Sequence, residues 1–319
     1  MNRPDLSLPD SKHSESSDRV SVVLPTFEPD VQYLVQSIQS VAHQTYDSVE
    51  LILIDSTDLD WLRALGEEYS WIIYRYQKPS GLPAAWNAGI EAATGTYITF
   101  LSDDDYYTTD KISKQVEWLH RGYDIVYSDE YVINNDGTET YLSSLPVTDQ
   151  HRHHITYFIA GQGVPHITVM GRTECFRSES FDERLDVRED PHLWVRLFKR
   201  YEVAKIDDAL VYKRRREESA TGDPELLYEN ELREIELLCE ALPELADYRP
   251  ERERMANYRY AKHLLRIGRI SESRSIFVNL LRDGMVESRV IGLLVVSLLP
   301  VGNRTAFQWL ETVAERRKR

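Results

Sequence analysis

The sequence is poor in cysteine, in positive charge and in long apolar runs, and each shortage excludes a class of protein. Among 319 residues only Cys175 and Cys239 are cysteines. Two cysteines are too few for a disulfide framework and do not form a metal-binding cluster with histidine. They favour a reducing compartment, so we expect the protein in the cytoplasm.

Positive charge is outnumbered by negative charge. Lys and Arg total 38 against 53 Asp and Glu, which gives a net charge of −15. Because binding to nucleic-acid phosphates requires clustered Lys and Arg, this balance argues against a nucleic-acid partner. Only nine of the basic residues are Lys and 29 are Arg. We associate this Lys-poor, acid-rich composition with a high-salt cytoplasm.

No apolar run is long enough to cross a membrane. The longest, residues 290–301, is interrupted by Ser297 and Pro300, whereas a bilayer span takes about 20 residues. This run could lie on a lipid surface or form part of a helical core, and its lack of a basic polar face favours the core. Residues 1–19 are polar, contain no signal-peptide core and are expected to form a disordered leader.

Short apolar runs alternate with amphipathic segments from Arg19 onward. The runs RVSVVLP, VELILID, WIIYRY and TYITFLS are predicted strands, because they are apolar almost throughout. The segments between them carry apolar residues at helical spacing, and Pro83 stands where one such helix begins. Strands of this kind joined by crossover helices predict a parallel sheet covered on both faces, which is a doubly wound α/β domain.

The rest of the chain predicts two further regions. DIVYSDEYVI, the turn NNDG and PHITVMGR indicate a second, mixed part of the sheet, followed by the helix PHLWVRLFKR and the short strand EVAKID. The α/β domain is therefore expected to span residues 20–221. Residues 222–319 are rich in helix formers with apolar residues three to four positions apart, which predicts an α-helical appendage.

Three polar clusters follow predicted strands: PTFE at residues 25–28, DSTD at residues 55–58, and the acidic segment DDD at residues 103–105. Ligands of doubly wound sheets bind beyond the carboxyl ends of the strands, so the three clusters should face one crevice. Neighbouring carboxylates repel one another unless a cation is bound, and oxygen ligands suit Mg²⁺ or Mn²⁺. The acidic segment predicts a cation site that a diphosphate completes, with a solvated turn as the alternative.

Several polar residues have both a structural and a functional interpretation. Asp55 can cap a turn or accept a hydrogen bond from a base or ribose hydroxyl. Asn87 lies among small residues that pack closely on a sheet, and packing alone does not explain it.

Asp190 precedes Pro191 and fits a helix N-cap, yet a carboxylate at the crevice could act as a general base. Its neighbour Glu189 approaches the same crevice. The basic run at residues 213–216 is either a solvated surface or a mobile loop that closes over a diphosphate.

Taken together, these segments resemble the family 2 inverting glycosyltransferases with the GT-A fold, over residues 20–221. VSVVLPTFEPD resembles the family's opening strand, and HQTYDSVELILIDSTD resembles its next helix-to-strand segment. GLPAAWNAGIEAATGTYITFLSDDD resembles its Gly-x-x-x-Ala-x-Asn-x-Gly helix and Asp-x-Asp strand end. FDERLDVREDPHLWVRL resembles its Phe-Asp-Glu, Glu-Asp and Leu-Trp-x-Arg block.

The resemblance implies transfer of a sugar from a nucleotide-diphosphate donor, usually UDP-linked, to a glycan or to a polyprenol- or dolichol-phosphate-linked acceptor. Asp190 becomes the base. The residues implied for donor binding are Pro25, Thr26, Glu28, Asp55, Asn87, Asp104 and Arg215. Those implied for a Mn²⁺ or Mg²⁺ ion are Asp103 and Asp105, and those of the acceptor region are Glu189, His166 and Trp194.

The implied mechanism is a single displacement with inversion. Asp190 takes the proton of an acceptor hydroxyl, whose oxygen attacks the anomeric carbon opposite the diphosphate. The metal and Arg215 stabilise the charge on the departing nucleoside diphosphate. The acid-rich composition and the resemblance to archaeal assembly enzymes suggest a haloarchaeal glycan-assembly protein, associated peripherally with the cytoplasmic face of the membrane.

The sequence departs from the family pattern in three places. The usual Asp-Asp-Gly-Ser after the second strand is shortened to DSTD at residues 55–58, and the first carboxylate of the Asp-x-Asp-Asp motif is Ser102. The Tyr-Arg-x-His of the closing loop reads YKRR at residues 212–215. These departures bear on the nucleotide base and on the dependence on metal.

Alternative functions fit the sequence less well. A dinucleotide-binding dehydrogenase needs Gly-x-Gly-x-x-Gly after its first strand, and PTFEPD contains no glycine. A phosphatase of the haloacid-dehalogenase type needs a second Asp two residues after the first, whereas Asp58 follows Asp55 by three. A non-catalytic sugar-nucleotide-binding or scaffold protein of the GT-A fold stays open as the alternative, although the joint presence of Asp104, Asp105 and Asp190 argues against it.

Overall fold

The structure is a computed structural model that describes residue 4 and residues 6–12, 18–135, 137–143, 153–161, 163–215 and 223–298. It divides into two compact units. The first comprises residues 1–157 and 162–217, and the second comprises residues 158–161 and 218–319. The predicted boundary between residues 221 and 222 falls outside the described residues.

The first unit is an α/β domain. Its strands are β1 (Val20–Thr26), β2 (Val49–Asp55), β3 (Ile72–Tyr76), β4 (Tyr97–Phe100), β5 (Tyr106–Tyr107), β6 (Ile125–Ile133), β7 (Glu139–Ser143), β8 (Val169–Arg172) and β9 (Val203–Arg214). Its helices are α1 (Val31–Ala42), α2 (Asp60–Glu68), α3 (Leu82–Ala92), α4 (Lys111–His120), α6 (Thr173–Ser178) and α7 (Glu189–Arg200), and α5 (His153–Ala160) ends in the second unit.

The strands of the described residues form one mixed sheet in the order β3-β2-β1-β4-β8-β6-β9-β5, with β7 paired to β6. β1 pairs in parallel with β2 and β4, and β2 pairs in parallel with β3. β8 then runs antiparallel to both β4 and β6, and β6 runs parallel to β9. This arrangement confirms the predicted α/β sheet with a parallel first part and a mixed second part.

The central strands are buried at every position because helices cover both faces of the sheet. Their polar side chains have partners. Ser21 Oγ donates to Glu50 Oε1 at 2.6 Å, and the same carboxylate accepts bonds from the amide and the hydroxyl of Thr94. Burial of this carboxylate is therefore compensated by hydrogen bonds.

Two predicted elements differ in extent from the structure. The segment EVAKID is only the first half of β9, which continues to Arg214 because β6 offers a long parallel partner. The segment PHITVMGR begins as a 3₁₀ helix, His166–Thr168, before it becomes β8.

Part of the predicted leader lies against the first unit. Leu6 is buried, the indole N–H of Trp71 donates to the Pro9 carbonyl at 3.0 Å, and Lys12 Nζ donates to the Gln44 carbonyl at 2.7 Å. The apolar residues among positions 6–12 therefore cover one end of the β2 and β3 region.

The second unit is helical. Its helices are α8 (Pro224–Ala241), α9 (Arg249–Ile267), α10 (Ile270–Arg282) and α11 (Ser288–Leu298). α8 begins at Pro224, where the Asp223 side chain accepts bonds from two first-turn amides and proline has no N–H that needs a partner. The C-terminal helices confirm the predicted α-helical region.

The longest apolar run of the sequence is α11 up to residue 298, and residues 299–301 lie outside the described part of the chain. Val290, Leu293 and Val296 belong to the core of the second unit. The opposite side of α11 is exposed, at Ile291, Val295 and Leu298. Among the described residues, no helix combines the length and the apolar composition that crossing a membrane requires.

Helix α3 lies unusually close to β1, as its small residues predict. A Cβ atom added to Gly89 would stand 2.1 Å from Val23 Cγ1 and 3.0 Å from Val23 Cγ2. Such distances require the Val23 side chain, the helix or the strand to move, so this close contact limits which side chain position 89 can accept.

We therefore expect Gly89→Ala to destabilise the protein by about 1–3 kcal/mol through overpacking. An alanine in a helix normally stabilises by up to about 1 kcal/mol relative to glycine. Gly292→Ala in α11 is the matched control, because its added Cβ has no neighbour within 4 Å. Denaturant unfolding should show opposite signs for the two variants. A stabilising Gly89→Ala would contradict the close approach of α3.

Candidate functional site

The candidate site lies at the carboxyl edge of the parallel strands. Thr26 ends β1 and stands opposite Asp55, which ends β2. The hydroxyl of Thr26 donates to Asp103 Oδ2 at 3.0 Å. Pro25 precedes this edge and is buried within β1. The parallel register thus brings residues from three sequence clusters to one edge of the sheet.

Three loops that contain or adjoin predicted site residues have an unusual backbone. Among the described residues, the non-glycine residues with positive φ are Glu28 at 48°, Asp58 at 61° and Arg188 at 71°. Such conformations are uncommon and cluster at functional sites when the surrounding structure holds them. The amide of Glu28 donates to Thr57 Oγ1 at 2.8 Å, so the loops after β1 and β2 support each other.

Asp55 is fully buried and organises the loop after β2. Its Oδ1 accepts bonds from the Thr57 and Asp58 amides, at 2.8 and 3.2 Å. Its Oδ2 accepts bonds from the Leu59 amide at 2.7 Å and the Tyr74 hydroxyl at 3.0 Å. These contacts give Asp55 the turn-capping role that was one of its two interpretations, and its contact with a donor stays a prediction.

The three carboxylates of the acidic segment have different environments. Asp103 and Asp104 are half-buried, whereas Asp105 is buried and its Oδ1 accepts a 2.7 Å bond from the Arg214 amide. Burial raises the pKa of Asp105 to about 8, repulsion by Asp104 adds to the shift, and the Arg214 bond opposes it. Asp105 therefore makes a hydrogen bond inside the protein, whereas Asp103 and Asp104 are partly exposed to solvent.

The donor set for a divalent cation is correspondingly limited. Among the described residues, no group of three or more His, Cys, Asp or Glu side chains is arranged to hold a metal ion. Of the pair predicted as ligands, Asp103 is half-buried, whereas Asp105 is buried and its Oδ1 already accepts the Arg214 amide, and binding of a metal ion by either stays a prediction. Asp103 and Asp104 supply oxygen atoms that suit Mn²⁺ or Mg²⁺ if phosphate oxygens or water complete the shell.

His166 lies next to the acidic segment. Its Nε2 is 2.9 Å from Ser102 Oγ, and its ring centre is 4.9 Å from that of Trp86. Loss of solvent, together with the charge of Lys213, lowers the pKa of His166 to about 3. The family motif has a carboxylate at the position of Ser102. Here the Ser102 hydroxyl stands at that position and contacts the neutral imidazole of His166.

Asn87 connects α3 to the segment that leads into α7. Its side-chain amide donates to the Phe181 carbonyl at 3.0 Å and to Glu183 Oε1 at 2.9 Å. Its carbonyl oxygen accepts the Phe181 amide at 2.9 Å. These bonds explain a polar residue in a helix of small apolar ones.

The start of α7 separates Glu189 from Asp190. The helix begins at Glu189 after an N-cap at Arg188, so Asp190 lies inside the first turn and not at the cap position that one interpretation gave it. Asp190 is half-buried, whereas Glu189 is buried. Burial and the charge of Asp190 raise the pKa of Glu189 to about 8. Of the two carboxyl groups, Asp190 is the more accessible.

The remaining predicted residues lie in contrasting places. Trp194, predicted for the acceptor region, is fully buried, packs against Phe181 and donates its indole N–H to the Val164 carbonyl at 2.6 Å. Arg215 is exposed beyond β9, and Arg216 lies outside the described residues.

The sequence interpretation missed Arg214, whose side chain is buried within the basic run. Strand alternation was the available signal, because it turns Arg214 to the face opposite Lys213 and Arg215.

Glu189 should make stability depend on pH. Its pKa in the folded protein lies above the ordinary value of 4.5, so its stabilising contribution is complete below about pH 4.5 and is lost as the pH rises through about 8. Glu189→Gln has a side chain that stays neutral at every pH. Between pH 4.5 and 8 its free energy of unfolding should therefore fall less steeply than that of the wild type, by up to about 1.4 kcal/mol per pH unit. Denaturant unfolding across pH 5–9 tests this. The exposed Glu91→Gln is the control, and parallel curves for wild type and Glu189→Gln would contradict the shift.

Comparison with known proteins identifies relatives along the sequence. The model of glycosyl transferase family 2 matches residues 21–184, just over half of the chain. An uncharacterized glycosyltransferase of Rickettsia felis is 29% identical over 205 residues, which cover 60% of this chain and 32% of that protein. One from Rickettsia typhi is 27% identical over 237 residues, covering 71% and 72%. The chain spans about a third of the length of the first curated relatives it matches.

Solved structures share the fold. TarS 1–349 of S. aureus in complex with UDP-GlcNAc matches with a TM-score of 0.57 at 16% identity, covering 87% of this chain and 84% of that chain. The mannosyltransferase PcManGT from Pyrobaculum calidifontis, in complex with GDP-Man and Mn²⁺, matches with a TM-score of 0.57 at 13% identity, covering 96% and 87%. These matches confirm the predicted GT-A fold. On the evidence of the family model, the chain belongs to glycosyl transferase family 2.

Proposed function

We propose that the protein transfers a sugar from a nucleoside-diphosphate donor to a hydroxyl group of a glycan or lipid-linked saccharide, with inversion at the anomeric carbon. One observation carries this proposal. Residues 163–166 border both sets of accessible carboxylates: His166 contacts Ser102 beside the acidic segment, and an added Cβ on Gly163 would lie 3.1 Å from Pro191 in the first turn of α7. A cation-binding pair and a candidate base therefore flank the same short segment.

The donor is proposed to lie over the carboxyl ends of β1, β2 and β4. TarS binds UDP-GlcNAc and PcManGT binds GDP-Man, which supports a nucleotide sugar, and we propose UDP as the nucleotide. Thr26 and Glu28 are proposed to contact it directly. Asp55 and Asn87 would act by holding the loop after β2 and the segment before α7, since their side-chain bonds are internal.

A Mn²⁺ or Mg²⁺ ion would be held by Asp103 and Asp104 together with diphosphate oxygens. Bound there, it would supply positive charge that stabilises the departing diphosphate. The chain itself offers the exposed guanidinium of Arg215 and the half-buried Lys213 for the same purpose.

Asp190 is proposed as the general base. It would accept the proton of the acceptor hydroxyl while the oxygen bonds to the anomeric carbon and the bond from that carbon to the diphosphate oxygen breaks, leaving the electron pair on the nucleoside diphosphate. Glu189 is largely protonated at neutral pH, because its pKa is about 8, so it is the weaker candidate. A neutral Glu189 also limits the repulsion that a charged Asp190 would otherwise meet.

The acceptor is proposed to be a glycan or a polyprenol- or dolichol-phosphate-linked saccharide. Exposed apolar side chains on α11, at Ile291, Val295 and Leu298, support peripheral contact with the cytoplasmic face of a membrane, where such an acceptor would be found.

Donor binding can be tested by thermal unfolding with a panel of UDP- and GDP-sugars, with Mn²⁺ or with excess chelator. A ligand at about 100 times its Kd stabilises the folded state by about 2.7 kcal/mol, which should raise Tm by about 5–10 °C. Replacing Asp103 and Asp104 together by Asn should remove the Mn²⁺-dependent part of the shift. If no nucleotide sugar raises Tm under either condition, the proposed donor class is wrong.

Asp190→Asn separates catalysis from binding. Loss of a general base should lower turnover by about 10²–10⁴-fold and leave donor affinity nearly unchanged, because the base acts on the acceptor. Glu189→Gln is the matched neighbour and should retain most of the turnover. Near-normal turnover in Asp190→Asn would exclude it as the base, and loss only in Glu189→Gln would move the role there. Donor binding without turnover in the wild type would favour the non-catalytic alternative.

A further inference from the structure

Arg214 stands out within the basic run because its side chain is almost completely buried, at 6% exposure. Burying a guanidinium is costly unless hydrogen bonds replace its water. Its chain neighbours have the opposite environment, since Lys213 is half-buried and Arg215 is exposed. The two neighbours can face a diphosphate, whereas Arg214 is turned into the protein.

The Arg214 guanidinium is satisfied by four oxygen atoms from three separate places in the chain. It donates to the carbonyls of Asp104 at 3.1 Å, Asn134 at 3.1 Å and Asn135 at 2.8 Å, and to Gln36 Oε1 at 2.9 Å. Its carbon atom Cζ lies 3.9 Å from the centre of the Tyr33 ring. All four of these hydrogen-bond acceptors are neutral carbonyl groups.

The main chain of Arg214 also contacts the acidic segment. Its amide donates to Asp105 Oδ1 at 2.7 Å. Ser37 Oγ of α1 donates to the Asp105 carbonyl at 2.6 Å, and the Tyr33 hydroxyl donates to the Asn135 carbonyl at 3.1 Å. The acidic segment, the start of the turn after β6 and the first half of α1 therefore meet around this one residue.

We propose that Arg214 is a positioning residue that fixes the backbone of the acidic segment and thereby presents Asp103 and Asp104 to the cation and diphosphate. This inference rests on the proposed function. Arginine is required because its N–H donors on three nitrogen atoms reach acceptors on separate sides, whereas the three donors of lysine all lie on one nitrogen atom. The hydrogen bonds of Arg214 also fix the backbone next to Lys213 and Arg215.

Arg214→Lys tests the proposal, with two measurements on the full chain. Hydrogen exchange of the free protein should become faster in peptides that contain residues 101–107 and 133–135, and stay unchanged in peptides from β1 and β2. The affinity for UDP should fall at least tenfold in Mn²⁺ and much less in chelator. Arg121→Lys is the control, because Arg121 also lies over an aromatic ring, Trp118, at 4.6 Å, but outside the site.

Gln36→Ala provides a second test if Arg214→Lys does not fold, since it removes one of the four acceptors and leaves Arg214 in place. It should accelerate exchange in the same peptides to a smaller extent. Unchanged exchange in those peptides, or acceleration spread evenly over the first unit, would overturn the positioning role. If wild-type protein binds no nucleoside diphosphate, the proposed function fails, while the exchange results still decide whether Arg214 holds the acidic segment.

Discussion

The position of the acidic segment depends on a buried hydrogen bond from the Arg214 amide to the Asp105 carboxyl group. It joins the turn after β4 to the end of β9, two places that are 109 residues apart in the chain. An unpaired carboxyl group at this depth would cost stability, so the bond constrains the end of the sheet as well as the acidic segment. The half-buried carboxylates of Asp103 and Asp104 owe their position to the buried one that follows them.

Burial explains why three carboxyl groups can follow an apolar strand. Asp103 and Asp104 approach solvent, whereas burial raises the pKa of Asp105 to about 8, so that the third group is largely neutral at pH 7 and is bonded to the Arg214 amide. In the free protein one oxygen of the remaining pair, Asp103 Oδ2, already accepts a hydrogen bond from the Thr26 hydroxyl. Asp103 and Asp104 are thus the two carboxyl groups of the segment that approach the crevice.

The parallel half of the sheet could be predicted from the sequence because it depends on local patterns. Strands such as β1 and β2 are apolar almost throughout, and they are joined by short crossover connections. The extent of β9 and its pairing with the two-residue β5 could not be predicted from the sequence, because both depend on contacts between distant segments. The candidate site could be predicted at the strand ends for a similar reason, since its polar clusters directly follow apolar strands in the sequence.

The roles of individual site residues were harder to predict. Asp55, Asn87 and Trp194 have the residue types of a binding site, and their hydrogen bonds are nevertheless internal. A carboxylate that caps a loop and one that binds a ligand look alike in a sequence, since both follow a strand. Only the partners of each oxygen atom distinguish them, and some of those partners are distant in the sequence, such as Tyr74 for Asp55.

The contact of residues 6–12 with the domain affects how a catalytic fragment should be designed. The family match begins at residue 21, and a fragment cut there would lose the Pro9 carbonyl that accepts the indole N–H of the fully buried Trp71. Truncation would expose this large ring beside β3 and leave its N–H without that partner. An expression fragment that starts before Leu6 would keep the indole covered, and an affinity tag is better placed ahead of that point than directly before β1.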